Sequence, residues 1–87
     1  MDRDAFVGAL RAEGFTQFVV VTRDAGELDT HTHPFEAKAL ILAGEIHIRA
    51  GGAERVYRRG DTFHLAANAP HTERYGPQGV QYLVARR

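Results

Sequence analysis

Two histidines one residue apart, His31 and His33, are the first residues in the sequence that could carry out chemistry together. On a β-strand their side chains would point to the same face, where two imidazoles can bind one metal ion. Pro34 restricts His33 to an extended backbone, which favours that geometry. Two ligands do not make a stable site, so the pair predicts at least one more ligand elsewhere in the chain.

The composition limits the class of protein that could carry such a site. The 87 residues are 44% hydrophobic and 25% charged, which is ordinary for one globular domain covering residues 1–87. Eleven Lys and Arg residues balance eleven Asp and Glu residues, so no net charge attracts nucleic acid or an anionic membrane. The chain has no cysteine, which excludes disulfides, thiolate metal sites and a cysteine nucleophile.

The size and the apolar segments predict where the protein works and in what state. A domain of this length buries only about two thirds of the surface of its unfolded chain, so association into a homodimer would add stability. No apolar run approaches the roughly 18 residues of a transmembrane helix. The acidic N-terminus lacks the pattern of a secretory signal. We therefore expect a soluble cytoplasmic protein that binds neither membrane nor nucleic acid.

The site must be positioned by β-strands, because only the N-terminus has a helical pattern. A short helix is predicted over residues 4–13, with Asp2 or Asp4 as its cap and Gly14 as its C-terminal stop. Residues 15–86 alternate strand and turn signals in the manner of an all-β sandwich or barrel. The predicted strands cover residues 15–22, 36–42, 45–50, 53–58, 62–65 and 80–85.

The turns between these strands are predicted from glycine, proline and asparagine. Gly51-Gly52 predicts a tight hairpin, and Gly60 supplies a turn residue before the strand at 62–65. Residues 43–44 and 76–79 are each predicted to separate two strands.

Two segments of the sequence carry glycines and histidines at regular spacing: Gly26, residues 31–33 and Gly44 in the first, Gly60 and His71 in the second. They resemble the paired motifs of the cupin superfamily, specifically of its small single-domain members. The first cupin motif is Gly, then His-x-His, a Glu three or four residues later, and Gly. Here it corresponds to Gly26, residues 31–33 and Gly44. The second is Gly, five residues, Pro-x-Gly, two residues, His, three residues and Asn. Here it runs from Gly60 to His71, with the spacing of the family.

The departures from these motifs have physical consequences. Asn68 replaces a motif glycine, and Asn tolerates the left-handed backbone that such a glycine adopts. Ala66 replaces the motif proline, which gives up rigidity without breaking the strand. By spacing the motif Glu falls at Ala37, which cannot bind a metal ion, and Tyr75 stands in place of the motif Asn.

The resemblance implies a jelly-roll barrel, also called a double-stranded β-helix. It further implies that His31, His33 and His71 bind one divalent transition metal ion, which could be Fe, Zn, Ni, Cu or Mn. The alternative is a lapsed site, in which these three histidines only line the barrel.

Glu73 offers a second route to an acid in the site. It lies two residues after His71, so strand alternation turns both side chains, and that of Tyr75, toward one face. Glu73 could be a fourth ligand, a catalytic carboxylate outside the ion's coordination sphere, or an exposed charge at the rim. We favour the second role, because its Cβ would be too deep or too shallow to join His71 on one ion. Tyr75 is either a catalytic proton carrier or a packed aromatic with a hydrogen-bonded hydroxyl.

The remaining candidates have less definite roles. Strand alternation predicts a surface position for Glu36 and a surface or cross-strand position for His47. It does not decide which way His64 points. Phe35 and Phe63 are expected to supply an apolar wall for the core or the pocket.

The resemblance implies either of two functions. A metal-dependent dioxygenase, isomerase or lyase would act on a small anionic or bidentate organic molecule, with Glu73 or Tyr75 managing protons. A non-catalytic ligand-binding or sensor cupin would instead work through a partner protein. The discriminating feature is whether the open side of the metal site faces a cavity with Glu73 in reach.

Overall fold

The computed structural model describes residues 1–87 as one helix followed by six β-strands. The helix, α1, covers Arg3–Ala12. The strands are β1 (Gln17–Arg23), β2 (Gly26–His31), β3 (Ala37–Ala50), β4 (Ala53–Arg58), β5 (Thr62–Leu65) and β6 (His71–Arg86). This all-β organisation with a short N-terminal helix is the predicted one. The structure contains no helix with the length and hydropathy of a membrane span.

The ends of α1 follow the signals in the sequence. Asp2 is the N-cap, and its Oδ1 accepts a hydrogen bond of 3.0 Å from the backbone N–H of Ala5. Gly14 follows the helix with φ of +98°, a conformation that favours glycine. Phe6 and Leu10 are buried on the face that packs against the sheet, so tertiary packing stabilises this short helix.

The long strands β3 and β6 form the centre of the sheet and pair along most of their length. On its other side β6 pairs with β1 through residues 80–86 and with β2 through residues 71–75. Likewise β3 pairs with β5 through residues 37–40 and with β4 through residues 45–50. The sheet is therefore four positions wide, and two short strands share each outer position.

The sheet bends across its middle, where both central strands contain glycines. In the ladder Gly44 pairs with Val80 and Ile46 with Tyr75, so residues 76–79 of β6 face the single residue Glu45 of β3. Gly44 has φ of +72°, and a Cβ there would clash with the Gly79 carbonyl oxygen. The predicted strand breaks at 43–44 and 76–79 are therefore wrong. Both strands continue through these residues as irregularities in the ladder.

The bend brings the two halves of the sheet together around one core. The inner face buries residues from both halves: Ala37, Ala39, Ile41, Ile46, Ile48, Phe63, Tyr75, Val80, Tyr82 and Val84. The opposite face carries a second cluster beneath the helix, formed by Phe6, Leu10, Phe15, Leu40, Leu83 and Ala85. Both faces of β3 and β6 are buried where the helix covers them.

The tight turns are where the sequence predicts them. Gly51 and Gly52 both have positive φ, +59° and +80°, in the two-residue hairpin between β3 and β4. Asn68 has φ of +62° and is the only residue other than glycine with a left-handed backbone. The left-handed conformation expected of this motif position is confirmed.

Candidate metal centre

The three predicted histidines lie at one end of the folded sheet. His31 ends β2 and pairs in register with His71, the first residue of β6. His33 lies in the connection from β2 to β3, and its carbonyl oxygen accepts a hydrogen bond of 2.7 Å from the Asn68 N–H. The left-handed turn at Asn68 thus holds the loop that presents His33.

Glu73 joins two of these histidines through one carboxylate oxygen. Its Oε2 lies 2.9 Å from His31 Nε2 and 3.1 Å from His71 Nε2. Two ligands each about 2.1 Å from an ion, at an angle of roughly 90–110°, lie about 3.0–3.4 Å apart. The observed separations are close to this spacing, so the position of Glu73 suits a metal ligand rather than the expected carboxylate outside the coordination sphere.

In His31 and His71 the Nδ1 atoms bond to the backbone, which leaves the Nε2 atoms facing the cluster. His31 Nδ1 donates to the Asp29 carbonyl oxygen at 2.7 Å, and His71 Nδ1 donates to the Ala69 carbonyl oxygen at 3.0 Å. A carbonyl oxygen only accepts hydrogen bonds, so each Nδ1 carries a proton. In the neutral rings both Nε2 atoms therefore present lone pairs toward Glu73. Backbone carbonyls are common partners for the outer nitrogen of a metal-binding histidine.

His33 completes the cluster from the loop. Its ring stacks on Phe35 with centroids 5.0 Å apart, and its centroid lies 4.9 Å from that of His31 and 5.3 Å from that of His71. Burial, followed by repulsion from His31 and His71, lowers the pKa of His33. The neutral form, which is the form that binds metal ions, is thereby favoured.

The four residues together have the chemistry of a metal site. One ligand atom from each of His31, His33, His71 and Glu73 can be chosen so that all lie within 4.8 Å of one another. His71 and Glu73 are buried, with 2% and 8% of their surfaces exposed. The donor set is three imidazoles and one carboxylate, which suits a divalent transition metal ion. Ala37, at the motif position of the missing Glu, contributes no donor.

Tyr75 lies beside Glu73 and fixes its second oxygen. The buried Tyr75 hydroxyl donates to Glu73 Oε1 at 3.1 Å. Burial, with repulsion from the Glu73 carboxylate, raises the pKa of Tyr75 well above its usual value. The hydroxyl keeps its proton at neutral pH and does not line the cavity described next. Its position suits a residue that orients Glu73.

The cluster faces a cavity of about 110 Å³. Lining residues are Arg23, Leu28, His31, His33, Phe35, Ala37, Phe63, Leu65, Glu73, Tyr82, Val84 and Arg86. The apolar wall expected of Phe35 and Phe63 is present. Sequence reasoning missed Arg23, Tyr82 and Arg86. Alternation along β6 groups Tyr82 and Arg86 on one face, but the sequence does not show that this face lines the cavity, because the residues on both faces are buried.

A family model for the cupin domain matches residues 18–78, which include all four residues of the cluster. The chain belongs to the cupin family. The predicted family and fold class are both confirmed. No match was found among curated proteins.

Solved structures share the fold of this cupin at low sequence identity. EutQ of Salmonella typhimurium LT2 is 19% identical with a TM-score of 0.70, and the match covers 79% of this chain and 55% of that one. An RmlC-like cupin from Shewanella frigidimarina NCIMB 400 is 21% identical with a TM-score of 0.64, covering 79% and 64%. KdgF from Halomonas sp. is 18% identical with a TM-score of 0.66, covering 79% and 67%. The chain spans about half to two thirds of the length of these proteins.

The other polar candidates of this cupin lie outside the cluster of three histidines and Glu73. Glu36 is a surface residue, as predicted, and its carboxylate accepts hydrogen bonds from His64 at 2.8 Å and Arg87 at 3.1 Å. These contacts decide the orientation of His64, which points away from the cavity. His47 is a cross-strand residue, since its Nδ1 accepts a hydrogen bond of 3.1 Å from Arg74 on the neighbouring strand.

Proposed function

We propose that this cupin binds one divalent transition metal ion through His31, His33, His71 and Glu73. The observation that carries the proposal is the convergence of three electron-pair donors. His31 Nε2 and His71 Nε2 both lie within 3.1 Å of Glu73 Oε2, and both rings commit their Nδ1 protons to backbone carbonyls. A cation at this point satisfies all three atoms at once. A single proton could bridge Glu73 Oε2 to only one of the two Nε2 atoms at a time, and it would leave the neutral His33 without a role in the cluster.

We further propose that the bound ion serves an enzyme acting on a small anionic or bidentate organic molecule. When bound, such an ion polarises substrate oxygens as a Lewis acid in an isomerase or lyase, or supports the oxygen chemistry of a dioxygenase. Glu73 is the acid that could also manage a proton, whereas Tyr75 orients it through the hydrogen bond to Oε1.

The cavity favours an enzyme over a sensor. His31, His33 and Glu73 all lie on its wall, so a molecule inside it reaches the metal-binding atoms directly. Phe35 and Phe63 make part of that wall apolar, which excludes water and strengthens polar interactions inside. A sensor would require, in addition, a surface that couples ligand binding to a partner.

The test is metal-dependent turnover. Protein loaded with iron(II), nickel or zinc would be screened against short hydroxy acids, oxo acids and diketones, by oxygen uptake and by proton NMR of the products. We expect turnover that disappears in His71→Ala and persists in His64→Ala, because His64 lies outside the cluster. Stoichiometric binding of these molecules without turnover with any metal, in air or under nitrogen, would contradict the enzyme and favour the sensor.

We also propose that two chains associate as a homodimer. Strand β1 is an edge of the sheet, with β6 as its only partner. Val19 and Val20 on this edge are 42% and 44% exposed. An apolar edge strand with free backbone hydrogen-bonding groups tends to pair with another chain.

A further inference from the structure

Arg86 stands out among the arginines because part of its guanidinium group is buried and that part has no hydrogen-bond partner. Its Nε is the only buried side-chain nitrogen or oxygen in the chain without a hydrogen-bond partner. Arg49, Arg58, Arg74 and Arg87 each form an ion pair with a glutamate, whereas Arg86 forms none. Buried donors without partners are rare in native proteins, so this one calls for an acceptor from outside the chain.

The missing motif glutamate explains why Arg86 is unpaired. Ala37 and Arg86 are partners in the β3–β6 ladder, and both line the cavity. Side chains of such cross-strand partners begin about 4.5–5.5 Å apart at Cβ, so a glutamate at position 37 would reach the guanidinium. With alanine there, the arginine keeps an uncompensated charge beside the space that a carboxylate would have filled.

Arg86 is close enough to the cluster of three histidines and Glu73 for one small molecule to contact the arginine and the cluster together. The Arg86 guanidinium carbon lies 5.0 Å from the centre of the Phe35 ring, and the His33 ring lies at the same distance from that centre. The guanidinium carbon is therefore no more than twice this distance from the His33 ring.

The charge and size of the cavity restrict what fits. Its one carboxylate, Glu73, is already engaged by His31, His71 and Tyr75, whereas Arg23 and Arg86 are both cationic. A cavity of about 150 Å³ holds one benzene molecule, so 110 Å³ accommodates roughly six non-hydrogen atoms at most.

We propose that Arg86 binds the carboxylate of an organic acid of two or three carbons, in the space that Ala37 leaves open. A second oxygen of the same acid faces His31, His33 and Glu73. The planar fork of the guanidinium matches a carboxylate in a way that a lysine ammonium does not. This inference rests on the proposed metal-binding function and names its substrate class.

The test compares an acid with its neutral analogue. Zinc-loaded protein would be titrated calorimetrically with pyruvate and with pyruvamide, which has the same number of non-hydrogen atoms but no charge. We expect Arg86→Gln to weaken pyruvate binding at least about tenfold and to leave pyruvamide binding unchanged. Arg59→Gln is the matched control, because Arg59 is exposed and lies outside the cavity, and should change pyruvate affinity by less than about twofold.

A second variant tests the role of the alanine without removing the arginine. Ala37→Glu restores a carboxylate beside Arg86 and should compete with the ligand, weakening pyruvate binding at least about tenfold while zinc content is retained. Inorganic phosphate serves as a further probe and should bind more weakly than pyruvate.

Several results would overturn the inference. In the first, Arg86→Gln still holds zinc and binds pyruvate within about twofold of the wild-type affinity. In the second, the wild type binds pyruvate and pyruvamide equally well. In the third, the wild type binds phosphate more tightly than pyruvate. Wild-type protein that binds neither pyruvate nor glycolate would overturn it as well. Failure to hold zinc would instead contradict the proposed function. The role of Arg86 would then be judged on chelator-treated protein, where Arg86→Gln must still weaken pyruvate binding.

Discussion

Glu73 supplies from β6 the carboxylate that the cupin motif places at position 37 on β3. Strand alternation from His71 predicts this inward orientation of Glu73 and Tyr75, because β6 is regular between them. The same reasoning fails beyond residue 75, where the inward residues change from odd to even numbers across 76–79. Both faces of β6 are buried there, so the hydrophobic pattern does not show which face lines the cavity and which contacts the helix. Arg86 lies on the cavity face and Ala85 on the helix face.

The hydrogen bond from Tyr75 to Glu73 predicts a loss of metal affinity when it is removed. Tyr75→Phe leaves Glu73 Oε1 without its 3.1 Å donor, so the carboxylate is less well oriented. We expect zinc affinity to fall about tenfold, the lower end of the range for residues that orient metal ligands. Competition with a chromogenic chelator measures it. Tyr57→Phe is the control, since that hydroxyl makes no hydrogen bond, and an equal loss in both variants would contradict the role of Tyr75.

The contacts of Glu36 predict a pH-dependent contribution to stability. The hydrogen bond from His64 and the charge of Arg87 lower the pKa of Glu36 in the folded chain. A glutamate in the unfolded chain has a pKa of about 4.3, and the contribution of Glu36 to stability is complete above that pH. Below it the contribution decreases, and it is lost as the pH falls through the lower pKa of the folded chain. Glu36→Gln should therefore lower the melting temperature at pH 7, and the difference from wild type should shrink below about pH 4.

The matched control for Glu36 is Glu27→Gln, because Glu27 is exposed and forms no ion pair. This variant should follow the wild-type melting temperature at both pH values. A Glu36→Gln difference that stays constant from pH 7 to pH 3 would contradict the electrostatic explanation.

At the scale of elements, the sequence predicts short strands better than long ones. The strands at 53–58 and 62–65 have the predicted bounds, and α1 begins and ends one residue before the predicted helix. Glycine with positive φ occurs both in hairpins and within bent strands, so residues 43–44 and 76–79 have the local pattern of turns. Only the neighbouring strands, which pair on both sides of the bend, distinguish the two cases.

Two glycine substitutions, one at the bend and one in α1, should change stability in opposite directions. Gly44→Ala places a Cβ against the Gly79 carbonyl at a left-handed residue and should destabilise the protein by about 2 kcal/mol or more. Gly8→Ala lies in the exposed face of α1 with no atom within 4 Å and should stabilise it by up to about 1 kcal/mol. Urea denaturation measures both changes. A Gly44→Ala variant as stable as wild type would contradict the close contact at the bend.

At the scale of the whole molecule, the folded sheet leaves two outer edges. One consists of β1 and β2, the other of β4 and β5. The helix covers part of one face, but the apolar residues of β1 stay exposed, with Val20 at 44%. A chain of this size gains stability from burying such a surface. This combination supports the proposed homodimer, with β1 as its proposed interface.

The proposed interface predicts that one charge dissociates the dimer. Size-exclusion chromatography with light scattering should give twice the 9.6 kDa of the chain for the wild type. Val20→Lys should give the monomer mass, because a charge on the edge strand opposes pairing. Ala67→Lys, at an exposed corner away from β1, should remain dimeric. A monomeric wild type at micromolar concentration would contradict the homodimer.

Metal content per chain tests the central claim most directly. Protein purified without an affinity tag or chelator, then reconstituted with iron, nickel, copper or zinc, would be measured by plasma mass spectrometry beside His71→Ala, Glu73→Gln and His64→Ala. We predict about one ion per chain in the wild type and in His64→Ala, almost none in His71→Ala, and a reduced content in Glu73→Gln. A wild type that stays empty with every metal, or a His71→Ala variant that keeps its ion, would contradict the metal centre.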